Sequence, residues 1–296
     1  SADIAASSPI TVNQGNAAEV AGTSIEASDG LTGSTEGFMG VVPASNGYYP
    51  STDVNIVDTI VGRLTAAPGA TRVLPAAVQA QNEACESGSL SMTFNDADNS
   101  QTLTTGDSMS MTASACTFGD VSMNGSVSIA NVVVTGDESV PPYSLQFSLQ
   151  TSGFSVSSGS ESVSITGDGT IMQSSAITGE SVTFSGNGIR VTTAEDELTL
   201  TNYRISEMQD SATLAYSVEI DATISSANLG GSVQVATLVP LTGVGDSEPE
   251  NGQLHCAGDN SSVTVSLIDW ESYELSVDED GDGIAEIILV QSRDAF

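Results

Sequence analysis

The chain has 296 residues, 38 acidic and 5 basic side chains, and a formal net charge of −33, yet only 15% of its residues are charged. The basic positions are Arg63, Arg72, Arg190, Arg204 and Arg293, so there is no lysine. That excludes a cationic footprint for nucleic acid, a polybasic lipid patch, Schiff-base chemistry and a P-loop.

Residues 1–84 are expected to form an N-terminal arm and two short helices packed on a sheet. Residues 85–296 are expected to form an antiparallel β domain. The arm, Ile4 to Val12, is uncharged and ends in β-prone Pro9-Ile-Thr-Val12. It is expected to add as a strand to a neighbouring copy, with docking on its own domain as the alternative. Asn16, with Glu19 three residues later, reads as a helix start. Ala17, Val20, Ala21, Ser24 and Ile25 then share one face, and Gly30 and Gly33 close the helix. A Gly/Pro/Tyr loop from Gly37 to Pro50 leads to a second helix, capped by Ser51 or Thr52. Val54, Val57, Ile60 or Val61, and Leu64 form its stripe.

From about Cys85 the apolar period switches to two. Val121, Met123, Val127 and Ile129 alternate with polar residues, as do Tyr143, Leu145, Phe147 and Leu149. Ala212, Leu214, Tyr216, Val218, Ile220, Ala222 and Ile224 read as seven inward positions of one strand. At Gly153 the parity flips between Leu149 and Phe154, the mark of a bulge or turn. Gly167-Asp168-Gly169, Gly186-Asn187-Gly188 and Gly230-Gly231 read as breaks. The acidic stretch Pro240 to Gly252 reads as a weak boundary. The fold class predicted is mainly β: a long antiparallel meander, open, curved or sandwich-like, with a small helical N-terminal region.

No stretch approaches the ~20 apolar residues of a membrane helix. Phe296 invites comparison with outer-membrane barrels, but Asp294 and Ser292 break the lipid-facing alternation. Aromatic residues, at 5%, are too few for two girdles. A start at Ser1, low charge density and abundant Ser and Thr fit an exported chain after removal of a signal.

Cys85, Cys116 and Cys256 are the three cysteines. Strands around Leu90, Met92, Phe94 and around Met109, Met111, Ala113 form a hairpin. A register with Phe94 opposite Asp107 sets Cys85 directly opposite Cys116, which predicts a disulfide in an oxidising compartment. Cys256 is left as a buried thiol or an intermolecular link.

The most specific chemistry is Asp278-Glu-Asp280-Gly-Asp282-Gly283. Carboxylates at alternate positions converge on a hard cation, and Gly283 permits the sharp turn. Asp278, Asp280 and Asp282 would ligate with Glu286 and the Ile284 carbonyl. Leu289 stands where an EF-hand needs a bidentate acid, so a strand–loop–strand Ca2+ site is expected. A sparser copy lies in the cysteine hairpin: Asp96, Asp98, Ser100, Thr102 and Asp107, with Gln101 in place of the glycine. Without a cation, both stretches would be plain acidic turns.

The C-terminal Asp278-Glu-Asp-Gly-Asp-Gly, the hairpin Asn95-Asp-Ala-Asp-Asn with Gly106-Asp107 and its following cysteine, and the early Ile10-Thr-Val-Asn…Asn16-Ala-Ala-Glu-Val20-Ala carry a resemblance. The chain is similar to a group of functionally uncharacterised bacterial secreted or lipoprotein-like β-proteins. The resemblance implies export and no activity.

No Gly-x-Ser-x-Gly elbow accompanies His255. Adjacent strand residues point to opposite faces, so His255 and Cys256 make no dyad. Trp270 is the single tryptophan, too few for a sugar platform. A non-enzymatic extracellular structural or surface protein is the leading expectation, Ca2+-stabilised and assembling as a homo-oligomer, fibre or array by strand addition. The alternative is a secreted binding module, with an apolar ligand in a curled sheet or a glycan on its Ser/Thr face.

Overall fold

The computed structural model of the chain describes residues 4, 7–32, 79–83, 85–100, 103–137, 140–159, 161–193, 197–245, 247–269 and 271–292. The expected second helix, the Gly37–Pro50 loop, Thr102 and Trp270 lie outside the described residues.

Among the described residues, one helix, α1 (Ala17–Thr32), precedes the strands β1 (Gln79–Glu83), β2 (Ser87–Asn95), β3 (Ser108–Phe118), β4 (Val121–Asp137), β5 (Val140–Ser158), β6 (Glu161–Ala176) and β7 (Gly179–Thr192). They are followed by β8 (Glu197–Asp210), β9 (Ala215–Ser226), β10 (Gly231–Val244), β11 (Asn251–Ala257), β12 (Ser262–Leu267), β13 (Ser272–Asp278) and β14 (Ile287–Ser292). All 14 strands belong to one sheet whose spatial order is the chain order, and every neighbouring pair is antiparallel. This is the expected meander, left open between β1 and β14. The sheet starts at Gln79, ahead of the position 85 read from the sequence.

One face of the sheet feeds a single apolar cluster. Phe154, Ile205, Leu241, Leu254 and Tyr273 are fully buried in it. Helix α1 packs on β8, β9, β11, β12 and β13. Asn16 starts it: its carbonyl accepts from Val20 N at 3.0 Å, and its side chain ties the preceding turn to Asn13 N and Thr11 O. The sequence predicted one buried stripe. Instead Val20, Ala21, Gly22, Ser24, Ile25, Ala27 and Ser28 are all buried, so α1 is enclosed on more than one side. Its small side chains let the sheet approach closely. Ser24 and Ser28 donate their hydroxyls to the carbonyls of Val20 and Ile25, so neither is buried unsatisfied.

The strand in which Gly153 lies is continuous. It carries a bulge there, with register shifts against both β4 and β6. Three other expectations are corrected. Gly167-Asp168-Gly169 and Gly186-Asn187-Gly188 lie inside β6 and β7, not between strands. Added Cβ atoms at Gly169 and Gly186 would each come within 2.5 Å of the Tyr203 hydroxyl, so these glycines admit the Phe184–Tyr203 ring pair, 4.8 Å between centroids. The seven-position strand is shorter, because Ala212 and Leu214 belong to the β8–β9 turn. There the Asp210 carboxylate accepts from Ala212 N, Thr213 N and the Thr213 hydroxyl, an Asx-type stop that outweighs the apolar alternation. Pro240 to Gly252 is no boundary. Strand β10 runs through Pro240, which falls at register shifts toward both neighbours, where its missing N–H breaks no ladder bond.

The Cys85–Cys116 disulfide is present, with a Cα–Cα distance of 5.3 Å. The register behind its prediction is corrected: Phe94 pairs with Met109, two residues from Asp107. The true register sets Leu90, Met92 and Phe94 against Ala113, Met111 and Met109, apolar against apolar, and frees Asp107 for the loop. A bulge around Ala115 then carries Cys116 back toward Cys85. Gly88 faces that bulge at φ 75°, where an added Cβ would lie 2.1 Å from Ala115 O. Only glycine fits.

A strict meander sorts its turns between two ends. One end holds the disulfide and the β9–β10, β11–β12 and β13–β14 turns. The other holds the β2–β3 loop and the β4–β5, β6–β7, β8–β9, β10–β11 and β12–β13 turns. At this second end Leu103, Ile177, Leu214 and Ile268 are exposed in the connections, and Val140 and Val244 at the ends of β5 and β10.

Candidate metal centres

The sequence singled out two acidic loops, and the fold places one at each end. The first lies between β13 and β14. Val277 and Ile287 are paired, which closes the loop over residues 278–286. Gly281 and Gly283 take φ 75° and 86°, so the chain reverses twice in three residues. Asp278 is buried at 7% exposure. Its two oxygens accept from Gly281 N at 2.7 Å and Gly283 N at 2.9 Å. Asp280 accepts from Asp282 N, and Asp282 from Ile284 N. Glu286 accepts from Glu279 N at 2.8 Å. These bonds turn the carboxylates of Asp278, Asp280, Asp282 and Glu286 inward, with one oxygen of each within 4.8 Å of the others. Ile284 exposes its side chain and stands between Asp282 and Glu286 in the loop.

The second lies between β2 and β3. Asp96 is 4% exposed and Asp107 is fully buried. Asp107 accepts from Ala97 N, Thr104 N and the Thr104 hydroxyl, so it pins both limbs of the loop. Ser100 N is shared between Asp96 and Asp98. Hydrogen bonds from the Ser100 hydroxyl and backbone hold the Asp98 carboxyl below the usual carboxylate range. Asp96, Asp98 and Asp107 bring oxygens within 4.8 Å of one another. Asn99 takes a left-handed turn position at φ 58°.

Both loops therefore assemble acid groups that can hold a metal ion. Like charges this close repel strongly once shielded from water, and a divalent cation reverses the sign of that interaction. The first loop offers four carboxylates and the second three.

Sequence reading missed Glu279, whose second role depends on a residue 265 positions away. Its carboxylate accepts from Gln14 N at 2.8 Å, in the turn that starts α1. No local pattern signals such a pairing. The acidic loop is thereby fastened to the N-terminal arm.

The arm itself docks on its own sheet. Ile10 N donates to Ser232 O and Ser232 N to Ser8 O, both at 3.0 Å, around a parallel bridge between Pro9 and Ser232. Asp259 N donates to Ile10 O at 2.6 Å, and Val12 N to the Ser261 hydroxyl at 2.7 Å. The expected docking on a neighbouring copy is thus corrected: the arm lies on its own domain, where Ser232, Asp259 and Ser261 satisfy its backbone.

His255 lies half-buried beside the Thr264 hydroxyl, 3.4 Å from its Nδ1. Cys256 is a buried free thiol, 3.3 Å from the Ser24 hydroxyl, with its pKa pushed up to about 12 by burial. That leaves it un-ionised at neutral pH.

A further ionisable group was invisible to the sequence. Glu207 is on the core-facing side of β8, after Tyr203 and Ile205, and pairs with Val182 and Val218. Burial pushes its pKa from 4.5 up to about 7. Glu180, two residues nearer the turn on β7 and paired with Gln209, is on the same side. A carboxyl whose pKa rises on folding favours the folded state only while protonated. Glu207 therefore lowers stability as pH climbs from about 4.5 to about 7, and the loss persists above that. Glu207→Gln is expected to stabilise the protein by about 1–2 kcal/mol at pH 8, after allowance for its partial solvation, and negligibly at pH 4. Urea unfolding of both chains at the two pH values checks this, and an equal effect at both would refute it.

Among the described residues no helix is long and apolar enough to cross a membrane. Compared with known protein families, curated proteins and solved structures, the chain matches none.

Proposed function

We propose that the protein is an extracellular structural or surface protein, stabilised by Ca2+, that assembles with copies of itself into a fibre or array. The observation carrying this reading is the placement of two carboxylate clusters at opposite ends of one open sheet. Copies with a net charge of −33 repel one another. Cations bound at both ends reduce the charge where neighbouring copies would meet head to tail. The disulfide supports an oxidising compartment. Ca2+ suits these loops better than Mg2+, which demands a tighter octahedron and keeps its waters. The C-terminal site uses Asp278, Asp280, Asp282 and Glu286, with the Ile284 carbonyl. The hairpin site uses Asp96, Asp98 and Asp107, with Ser100 and Thr102.

Negative-stain microscopy and light scattering of the full chain, with Ca2+ and with chelator, test the reading. Ordered polymers are expected in Ca2+, shortening or dissolving in chelator. Monomers at every concentration in Ca2+ would overturn it.

The binding-module reading is favoured by a different observation, the apolar residues exposed at the turns of the second end. An apolar partner there would bind monomers, with no polymer formed in Ca2+. A ligand on the sheet face at β8, β9 and β11–β13 is disfavoured, because α1 packs there.

A further inference from the structure

We propose that the protein pairs side by side with a second copy of itself through β14, the last strand of the sheet, to form a two-fold dimer. This goes beyond the head-to-tail assembly proposed above and uses no residue of either carboxylate cluster.

The two edges of the open sheet differ. At one edge β1 reads Gln79-Ala-Gln-Asn-Glu83, polar but for one alanine and ending in an acid. At the other β14 reads Ile287-Ile-Leu-Val-Gln-Ser292, four apolar residues in succession and no charge. Among the described residues no strand lies beyond it. An edge strand turns a row of backbone N–H and C=O groups outward, ready for a further strand, and a charge, a lysine or a proline usually blunts it. Strand β14 has none of these.

The core also stops short at this edge. On β13, Tyr273, Leu275 and Val277 are fully buried. Their partners on β14 are Gln291, Leu289 and Ile287. There Leu289 and Ile287 are only half-buried, although they pack on the same core. On the opposite face Ile288 and Val290 are 63% and 64% exposed. A strand added beyond β14 covers both pairs at once.

The strand that fits is β14 itself. A two-fold axis perpendicular to the sheet makes the new pair antiparallel, continues the alternation of the meander and keeps both cores on one face. Centred on Leu289, the axis sets Leu289 against its own copy, Ile288 against Val290 of the second copy, and Ile287 against Gln291 of the second copy. Apolar side chains then meet on both faces, and such cross-strand pairs are what stabilises a sheet. No acid falls opposite another within residues 287–291, so the contact itself adds nothing to the repulsion of two chains of net charge −33. The interface is isologous and closes on two copies. A single strand pair is small, below about 1,200 Å2, so the dimer is reversible. Salt screens the repulsion between the two bodies and tightens it.

The test is sedimentation of the full chain in chelator, over a range of protein concentrations. A monomer–dimer equilibrium is expected, with a dissociation constant that falls at least about tenfold between ~0.05 and ~0.5 M salt. The double variant Ile288→Lys, Val290→Lys changes two exposed side chains and supplies the missing edge guard. It is expected to weaken the dimer at least about tenfold. Mixing a chain carrying only Ile288→Cys with one carrying only Val290→Cys, then oxidising, is expected to give more covalent dimer than either chain alone. The native cysteines do not interfere, being either bonded or buried. Monomers at every concentration and salt, whether or not a foreign β-strand peptide binds the edge, would overturn the proposal. So would a dimer that the two lysines leave unchanged. Ca2+-dependent polymers built from chains that never dimerise in chelator would refute the β14 pair and leave the assembly reading intact. Dimers in chelator with no polymers in Ca2+ would do the reverse.

Discussion

Removal of the Cys85–Cys116 disulfide, by Cys116→Ser with Cys85→Ser, is expected to cost about 3 kcal/mol for a closed loop of this class. The bridge spans 31 positions and ties the start of β2 to the far end of β3. It also holds the bulge around Ala115, whose amide donates to the Asn124 side chain at 2.7 Å. The loss should appear mainly in β2 and β3. Urea unfolding followed by hydrogen exchange checks this. Protection is expected to fall in residues 87–118 and to survive in β8–β13, which α1 braces. Unchanged stability would show that the hairpin is held by its own ladder, and the predicted cost would be wrong.

Ca2+ at a hundredfold excess over its dissociation constant is expected to stabilise the chelator-treated protein by about 2.7 kcal/mol per occupied site. Asp280→Ala should diminish this gain more than Asp98→Ala, because the C-terminal loop gathers four carboxylates against three. Asp280 is exposed, and its one bond in the structure is accepted from Asp282 N, so its loss should little disturb the metal-free fold. Mg2+ should substitute poorly. Thermal unfolding and calorimetric titration of the three chains measure these effects. No heat and no shift in the unaltered protein would dispose of both metal sites.

Much of the architecture was written in local pattern. Period-two alternation is a property of one strand and its neighbours, so a sheet that pairs only chain neighbours is the most legible of β folds. Asp278-x-Asp-x-Asp-Gly was legible for the same reason: its geometry is made of bonds between residues two to five apart. Glycine misled where it had two meanings. Gly230 and Gly231 mark a turn, whereas Gly169 and Gly186 make room for Tyr203, a residue on another strand. Leu214 misled because alternation continued into a turn that Asp210 imposes. The docking of the arm, the enclosure of α1 and the Gln14–Glu279 bond depend on residues more than 160 positions apart. No short window contains both partners.

The one-after-another order of the sheet also fixes a sequence of events as the chain is made. Each strand finds its partner in the segment just synthesised, so β2 and β3 can zip together, then β3 and β4, without waiting for anything distant. The arm and helix leave the ribosome before the sheet does and are finished last. Their seat involves Ser232, Asp259, Ser261 and Glu279 and does not exist until almost the whole chain has emerged. For most of its biogenesis the segment that completes the interior therefore waits outside it, an uncharged arm leading into a helix of mostly small residues with nowhere yet to bind.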